Sequence, residues 1–142
     1  MSESNDFIIK DGELIRYIGD DSCVVIPEGV TVIKSSAFYD LDFMTDVTVP
    51  VSLKKVEKDA FERCYGVTKL TIKDLRRWCE VDIASSFLGW RTGCSIYCGD
   101  TPLERLEIPE GVRTIRKFVF CGGNNIRSVR SGDIYAFVKF VS

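Results

Sequence analysis

Residues 24–38 read VVIPEGVTVIKSSAF, and the chain returns to this phrase as VTVPVSLKKVEKDAF at 47–61 and LEIPEGVRTIRKFVF at 106–120. Val24, Val47 and Leu70 stand 23 positions apart, as do Leu106 and Val129. Leu70 and Leu106 are 36 apart, so the third unit carries 13 extra residues. Pro27, Pro50 and Pro109 each fall three places after the first residue of their unit. A fixed period of this length marks a stacked repeat: one unit cannot bury its own apolar side chains, and its neighbours must cover them.

Inside each unit the apolar positions keep fixed offsets. Val24/Ile26, Val47/Val49, Leu70/Ile72 and Leu106/Ile108 alternate with period two, which predicts a short strand with one buried face. The proline that follows in three units has no N–H and suits the end of a strand, where the hydrogen-bond ladder stops. Pro-Glu-Gly then reads as a turn, with Gly29 and Gly111 free to take positive φ. Val30/Leu53/Val112 and Ile33/Val56/Ile115 supply further inward residues. Ala37-Phe38, Ala60-Phe61 and Val119-Phe120 predict a helical or 3₁₀ turn that drops a ring into the core. Stacked in this way, the strands are expected to form a narrow parallel sheet along one side of a coil.

These residues resemble the BspA-like (Treponema pallidum type) leucine-rich repeats, whose pattern is IP-x-x-V-x-x-I-x-x-x-AF-x-x-C-x-x-L. Ile26-Pro27, Val30, Ile33 and Ala37-Phe38 match it in the first unit, and Val49-Pro50, Leu53, Val56, Ala60-Phe61, Cys64 and Val67 in the second. The opening FIIKDGELIRYIGDDSC is similar to the hairpin that precedes such arrays, and its Asp11-Gly12 pair independently predicts a type I′ turn. Leu41 and Gly123 stand where the pattern has cysteine, and Cys121 is displaced from it by two. The resemblance implies a protein-binding repeat, on the cell surface or secreted. The N-terminus itself carries no basic stretch followed by an apolar core, which points instead to a soluble cytoplasmic chain.

The expected fold is therefore a right-handed leucine-rich-repeat solenoid, a β-rich β/α superhelix with short helical or 3₁₀ turns and about five coils. One domain spans 1–142: a hairpin cap at 7–23, units at 24–46, 47–69, 70–105 (enlarged) and 106–128, and a cap strand at 129–142.

Composition narrows the chemistry. The 142 residues are 45% hydrophobic and 28% charged, with net charge −2 and no histidine. That is a globular balance without the basic stripe a nucleic-acid site needs. No apolar run approaches the roughly 20 residues of a transmembrane helix. Without imidazole, histidine-dependent triads and His-ligated zinc are impossible. Cys79, Cys94 and Cys98 could supply three thiolates, but the spacing is not the C-x₂-C of structural zinc and no fourth ligand is evident, so no metal and no cofactor are expected. A disulfide among these three stays open, and Cys64 reads as a buried ladder residue. Paired carboxylates such as Asp20-Asp21 and Asp40/Asp42 sit in turn segments, where solvation explains them. A thin solenoid offers no deep cleft, so the chain does not read as an enzyme.

What remains is recognition. The outward residues flanking each buried strand pair are Asp46/Thr48, Lys69/Thr71, Arg105/Glu107 and Ser128/Arg130. Their charge drifts from acidic to basic, as does the chain: net −5 over residues 1–71 and +3 over 72–142. Trp90 and Arg91, in the insert of the third unit, are residue types enriched at binding hot spots. These positions are the candidate surface for a protein partner. The stretch Ile134–Val141 is apolar and β-prone, with only Lys139 against edge pairing, and is the candidate for self-association in a structural or adhesin-like role.

Overall fold

The hairpin forms where its turn chemistry requires. Asp11 and Gly12 take φ of 52° and 78°, the left-handed pair of a type I′ turn, which glycine and aspartate tolerate best. The turn joins β1 (Phe7–Lys10) to β2 (Glu13–Tyr17) in antiparallel register. The computed structural model describes residues 4–84, 94–112, 115, 119 and 126–131. Beyond the hairpin the elements are β3 (Cys23–Val25), β4 (Val32–Ile33), β5 (Asp46–Thr48), β6 (Lys55–Val56) and β7 (Lys69–Ile72). They are followed by α1 (Leu75–Trp78), β8 (Asp82–Ile83), β9 (Ser95–Cys98), β10 (Thr101–Pro102), β11 (Arg105–Ile108) and β12 (Ser128–Ser131).

Among the described residues, each of the first three repeats contributes two strands rather than one. The first sheet runs β1-β2-β4-β6-β8 and the second β10-β9-β7-β5-β3, so the expected single narrow sheet is in fact a pair. In the first sheet Leu14, Ile33, Val56 and Ile83 stand in register, and in the second Val24, Val47, Leu70 and Ile96 do. All eight are at most 1% exposed. The second strand escaped the sequence pattern because β4, β6 and β8 are two residues long and carry one inward side chain each, too short to alternate.

Among the described residues, four parallel strands of the second sheet make about three turns of coil, where the repeat count led to an expectation of about five for the chain. The strand beside β7 is β9, with Leu70 opposite Ile96, and β10 then runs back antiparallel along β9. Leu106 therefore does not follow Leu70 on this ladder. It lies on β11, which pairs in parallel with β12 as a separate two-stranded sheet.

The turns repeat as faithfully as the strands. Val30, Leu53 and Val112 each donate their N–H to the carbonyl of the proline three residues earlier, at 3.4, 3.3 and 3.3 Å. Gly29 and Gly111 occupy the third turn position with φ of 97° and 89°, as a type II turn requires. After the turns comes an aromatic column. Phe38 and Phe61 stack with centroids 4.6 Å apart and planes 5° from parallel, and Tyr17 continues the column at 5.7 Å, with Phe7 beyond it at 5.0 Å. Trp78 fills an inward slot, 2% exposed, and its indole N–H donates to the Val119 carbonyl at 2.8 Å. Trp90, Arg91, Phe120 and the stretch Ile134–Val141 lie outside the described residues.

Candidate interaction face

Alternation decides what the second sheet presents. With Val24, Val47, Leu70 and Ile96 turned inward, the residues on either side of each turn outward. In register they form two rows: Cys23, Asp46, Lys69 and Ser95, then Val25, Thr48, Thr71 and Tyr97. Four of the sequence-derived residues, Asp46, Thr48, Lys69 and Thr71, thus sit together at the centre of one face. All four are half-buried. They line a shallow depression of about 300 Å³ that also touches Cys23, Val25, Lys73 and Asp100.

Charge and shape are both defined here. Asp46 and Lys69 are direct cross-strand neighbours of opposite sign. Lys69 Nζ lies 4.3 Å from the centroid of the Tyr97 ring, a cation–π contact that is worth about 0.5–1 kcal/mol at an exposed site and restrains a long, mobile side chain. The ammonium is held where it can meet a carboxylate, and the Thr48 and Thr71 hydroxyls add donors and acceptors beside it.

Tyr97 is the residue that the repeat alignment failed to place. Ser95-Ile96-Tyr97-Cys98 repeats the alternation of Lys69-Leu70-Thr71-Ile72, but at 26 residues from Leu70 to Ile96 instead of 23 it falls out of phase with the other units. The period-two pattern within the tetrapeptide was the available signal. Arg105 and Glu107 are exposed on β11, where Arg105 pairs in register with Ser128 and Glu107 with Arg130. These three candidates share the separate two-stranded β11–β12 sheet and not the face around Lys69.

Among the described residues few ionisable groups have shifted titration. The carboxylates with shifted titration, Glu28 and Glu57, both move down, Glu28 chiefly through Lys73 and Glu57 through the Ser35 N–H and then Lys34. A glycosidase-type acid needs the opposite shift. Burial pushes the thiols of Cys64, Cys79 and Cys94 up, to about 11, 12 and 12, so they are poor nucleophiles and poor metal ligands. Cys79, Cys94 and Cys98 are free thiols, and among the described residues no three potential ligands cluster as a metal site would. No helix among them is long and apolar enough to cross a membrane.

Comparison with known sequences decides the family. The profile described as "BspA type Leucine rich repeat region (6 copies)" matches residues 21–80 and 92–137. The chain belongs to the BspA-type leucine-rich-repeat family. The gap in the match, 81–91, falls between β7 and β9, where the BspA-type period lengthens. Among solved structures the chain is similar to the T. pallidum leucine-rich-repeat protein, at 19% identity over 90% of this chain and 70% of that one, with a TM-score of 0.49. A search of curated proteins returned no match.

Proposed function

We propose that this chain is a non-catalytic protein-interaction module whose outer face, centred on Asp46, Thr48, Lys69 and Thr71, receives a protein partner. The observation that carries the reading is the Lys69–Tyr97 contact beside the Asp46–Lys69 pair, whose two residues line a depression of about 300 Å³ on the sheet. Leucine-rich-repeat arrays are generally non-catalytic. Their rigid stacked strands display a large surface without moving parts, which suits recognition. Arg105, Glu107 and Arg130 extend the proposed surface to the β11–β12 sheet, and Trp90 and Arg91, in the insert of the third unit, complete the proposed set.

The test is a cross-linked pull-down from the native cell with wild type, the double variant Lys69→Glu/Tyr97→Ala, and Arg105→Glu/Arg130→Glu. The first double variant is expected to lose the captured protein while its melting temperature stays within about 3 °C, since surface substitutions rarely cost more than ~0.5 kcal/mol. Equal capture by it and the wild type removes this face from consideration. Loss only in the second variant moves the contact to the β11–β12 sheet.

A further inference from the structure

Asp46 and Lys69 are opposite charges 23 residues apart on neighbouring strands, and they do not pair. Elsewhere the same relationship closes: Lys34–Glu57 and Asp40–Arg63, each also 23 apart, are ion pairs at 3.1 and 3.5 Å. Lys69 turns the other way. Its Nζ lies over the Tyr97 ring on β9, on the side of β7 away from β5. The half-buried Asp46 carboxylate is left without an ion pair among the described residues. Lys73, which lines the same depression, is already held by Glu28 at 2.9 Å, and Asp100 is at the β9–β10 turn, two strands from Asp46.

Tyr97 thus keeps two opposite charges open, on strands about 4.8 Å apart along the direction in which the coils stack. Covering such a pair with an apolar or singly charged surface strips water from a charge and gives nothing back, so the site discriminates against those surfaces. The spacing selects further. Successive turns of a helix rise about 5.4 Å, so a helix laid across the strands drifts only about 0.6 Å per strand. An extended segment in the same direction presents same-face side chains about 6.7 Å apart and falls about 2 Å out of step at each strand. Over the three steps from Val25 to Tyr97 the helix stays within about 2 Å, and the extended segment misses by about 6 Å.

We infer that the segment received by this face is a helix lying across β5 and β7 that brings a lysine or arginine to Asp46 and, one turn along, a glutamate or aspartate to Lys69. The inference rests on the proposed use of this face for recognition and names the chemistry of its partner. Val25, Thr48, Thr71 and Tyr97 form the adjoining outward row, which meets the side of the helix next to its charged stripe. Tyr97 is a positioning residue: it acts through Lys69, by withholding the ammonium from Asp46.

Fluorescence anisotropy with a labelled, alanine-based helical peptide of roughly 18 residues tests this at low salt. The peptide carries one lysine and, one helical turn later, one glutamate, the order that pairs less well within the helix itself. It is expected to bind about two- to fivefold more tightly than peptides in which glutamine replaces either charge. Asp46→Asn, isosteric and outward-facing, should erase the gain from the peptide lysine and keep that from the glutamate; Lys69→Gln should do the reverse. Tyr97→Leu should shrink both gains by releasing Lys69 onto Asp46, and Tyr97→Phe should keep them. Equal binding of all the peptides, or an Asp46→Asn effect that ignores the peptide's charges, overturns the partner chemistry. Tighter binding by a proline-interrupted peptide with the same charges overturns the helix, and a Tyr97→Leu protein that retains both gains overturns the role of Tyr97. If the peptides fail while Lys69→Glu/Tyr97→Ala still loses its captured protein, the face stands and this partner falls; equal capture by that variant removes the face itself.

Discussion

Lys73 Nζ lies 2.9 Å from Glu28 Oε2, although 45 positions separate the two residues. The same carboxylate accepts the Val51 N–H from the coil between them at 3.2 Å, so one side chain ties three successive coils. The Lys34–Glu57 pair at 3.1 Å joins two coils in the same manner, with the Ser35 N–H bonding the other carboxylate oxygen. Stability between coils thus has an electrostatic component at their turns as well as an apolar one at their centre.

Acid should remove that component. Both carboxylates titrate below their ordinary value of 4.5, so their contribution is complete above that pH and is lost as pH falls through the lower values of the folded state. Exposure of the Glu28 pair limits it to at most about 1 kcal/mol. Urea unfolding of Glu28→Gln/Glu57→Gln against wild type should show a gap at pH 7 that narrows as pH falls below 4.5. A constant gap would assign the effect to something other than charge.

The aromatic column should be the costliest place to open a cavity. Phe38 is fully buried between Tyr17 and Phe61, and Phe38→Ala is expected to cost about 3–5 kcal/mol in denaturant unfolding. Phe61→Ala should fall in the same range. Tyr17→Phe keeps the ring and loses only the hydroxyl that accepts the Asp21 N–H at 3.2 Å, at about 1 kcal/mol or less.

Thiol labelling should separate the described cysteines by position. Cys23 is exposed on the outer face, whereas Cys64, Cys79 and Cys94 are buried with thiols pushed up to about 11 or 12. Iodoacetamide at pH 8 should modify Cys23 first and reach the three buried thiols only on unfolding, read by peptide mass mapping. Early loss of Cys64, whose Sγ–H donates to the Phe38 carbonyl at 2.7 Å, would mean that the coil opens locally.

Two glycines should fail for different reasons. At Gly66 an added Cβ would lie 2.5 Å from the Asp42 carbonyl oxygen and 3.0 Å from that of Met44, so Gly66→Ala forces adjoining coils apart, at roughly 1–3 kcal/mol. Gly29 has open space around it but a φ of 97°, so Gly29→Ala is penalised by backbone strain alone, by about 1 kcal/mol. Thermal melts should rank Gly66→Ala as the less stable.

Local chemistry made part of this legible in advance. The Asp11-Gly12 turn, the proline turns and the buried slot of Cys64 each follow from a few adjacent residues or from one offset repeated at 23. The positive φ values at Ser36 and Asp59, and again at Asp40 and Arg63, repeat at that offset too, yet no glycine marks them. Tyr17 joins the ring column 21 residues before Phe38, outside the period, because the hairpin and not a repeat delivers it.

The period and its alternation by themselves determined that this is a stacked repeat, which residues turn inward, and that Asp46, Thr48, Lys69 and Thr71 share an outward face. Only the tertiary structure decided that each of the first three units carries a second strand and that β9 is the strand beside β7. It alone placed Tyr97 against Lys69, and Arg105 with Glu107 on another sheet. The reason is physical: inward or outward orientation follows from backbone geometry over three or four residues, whereas the identity of a neighbouring strand depends on how the intervening chain closes its loop.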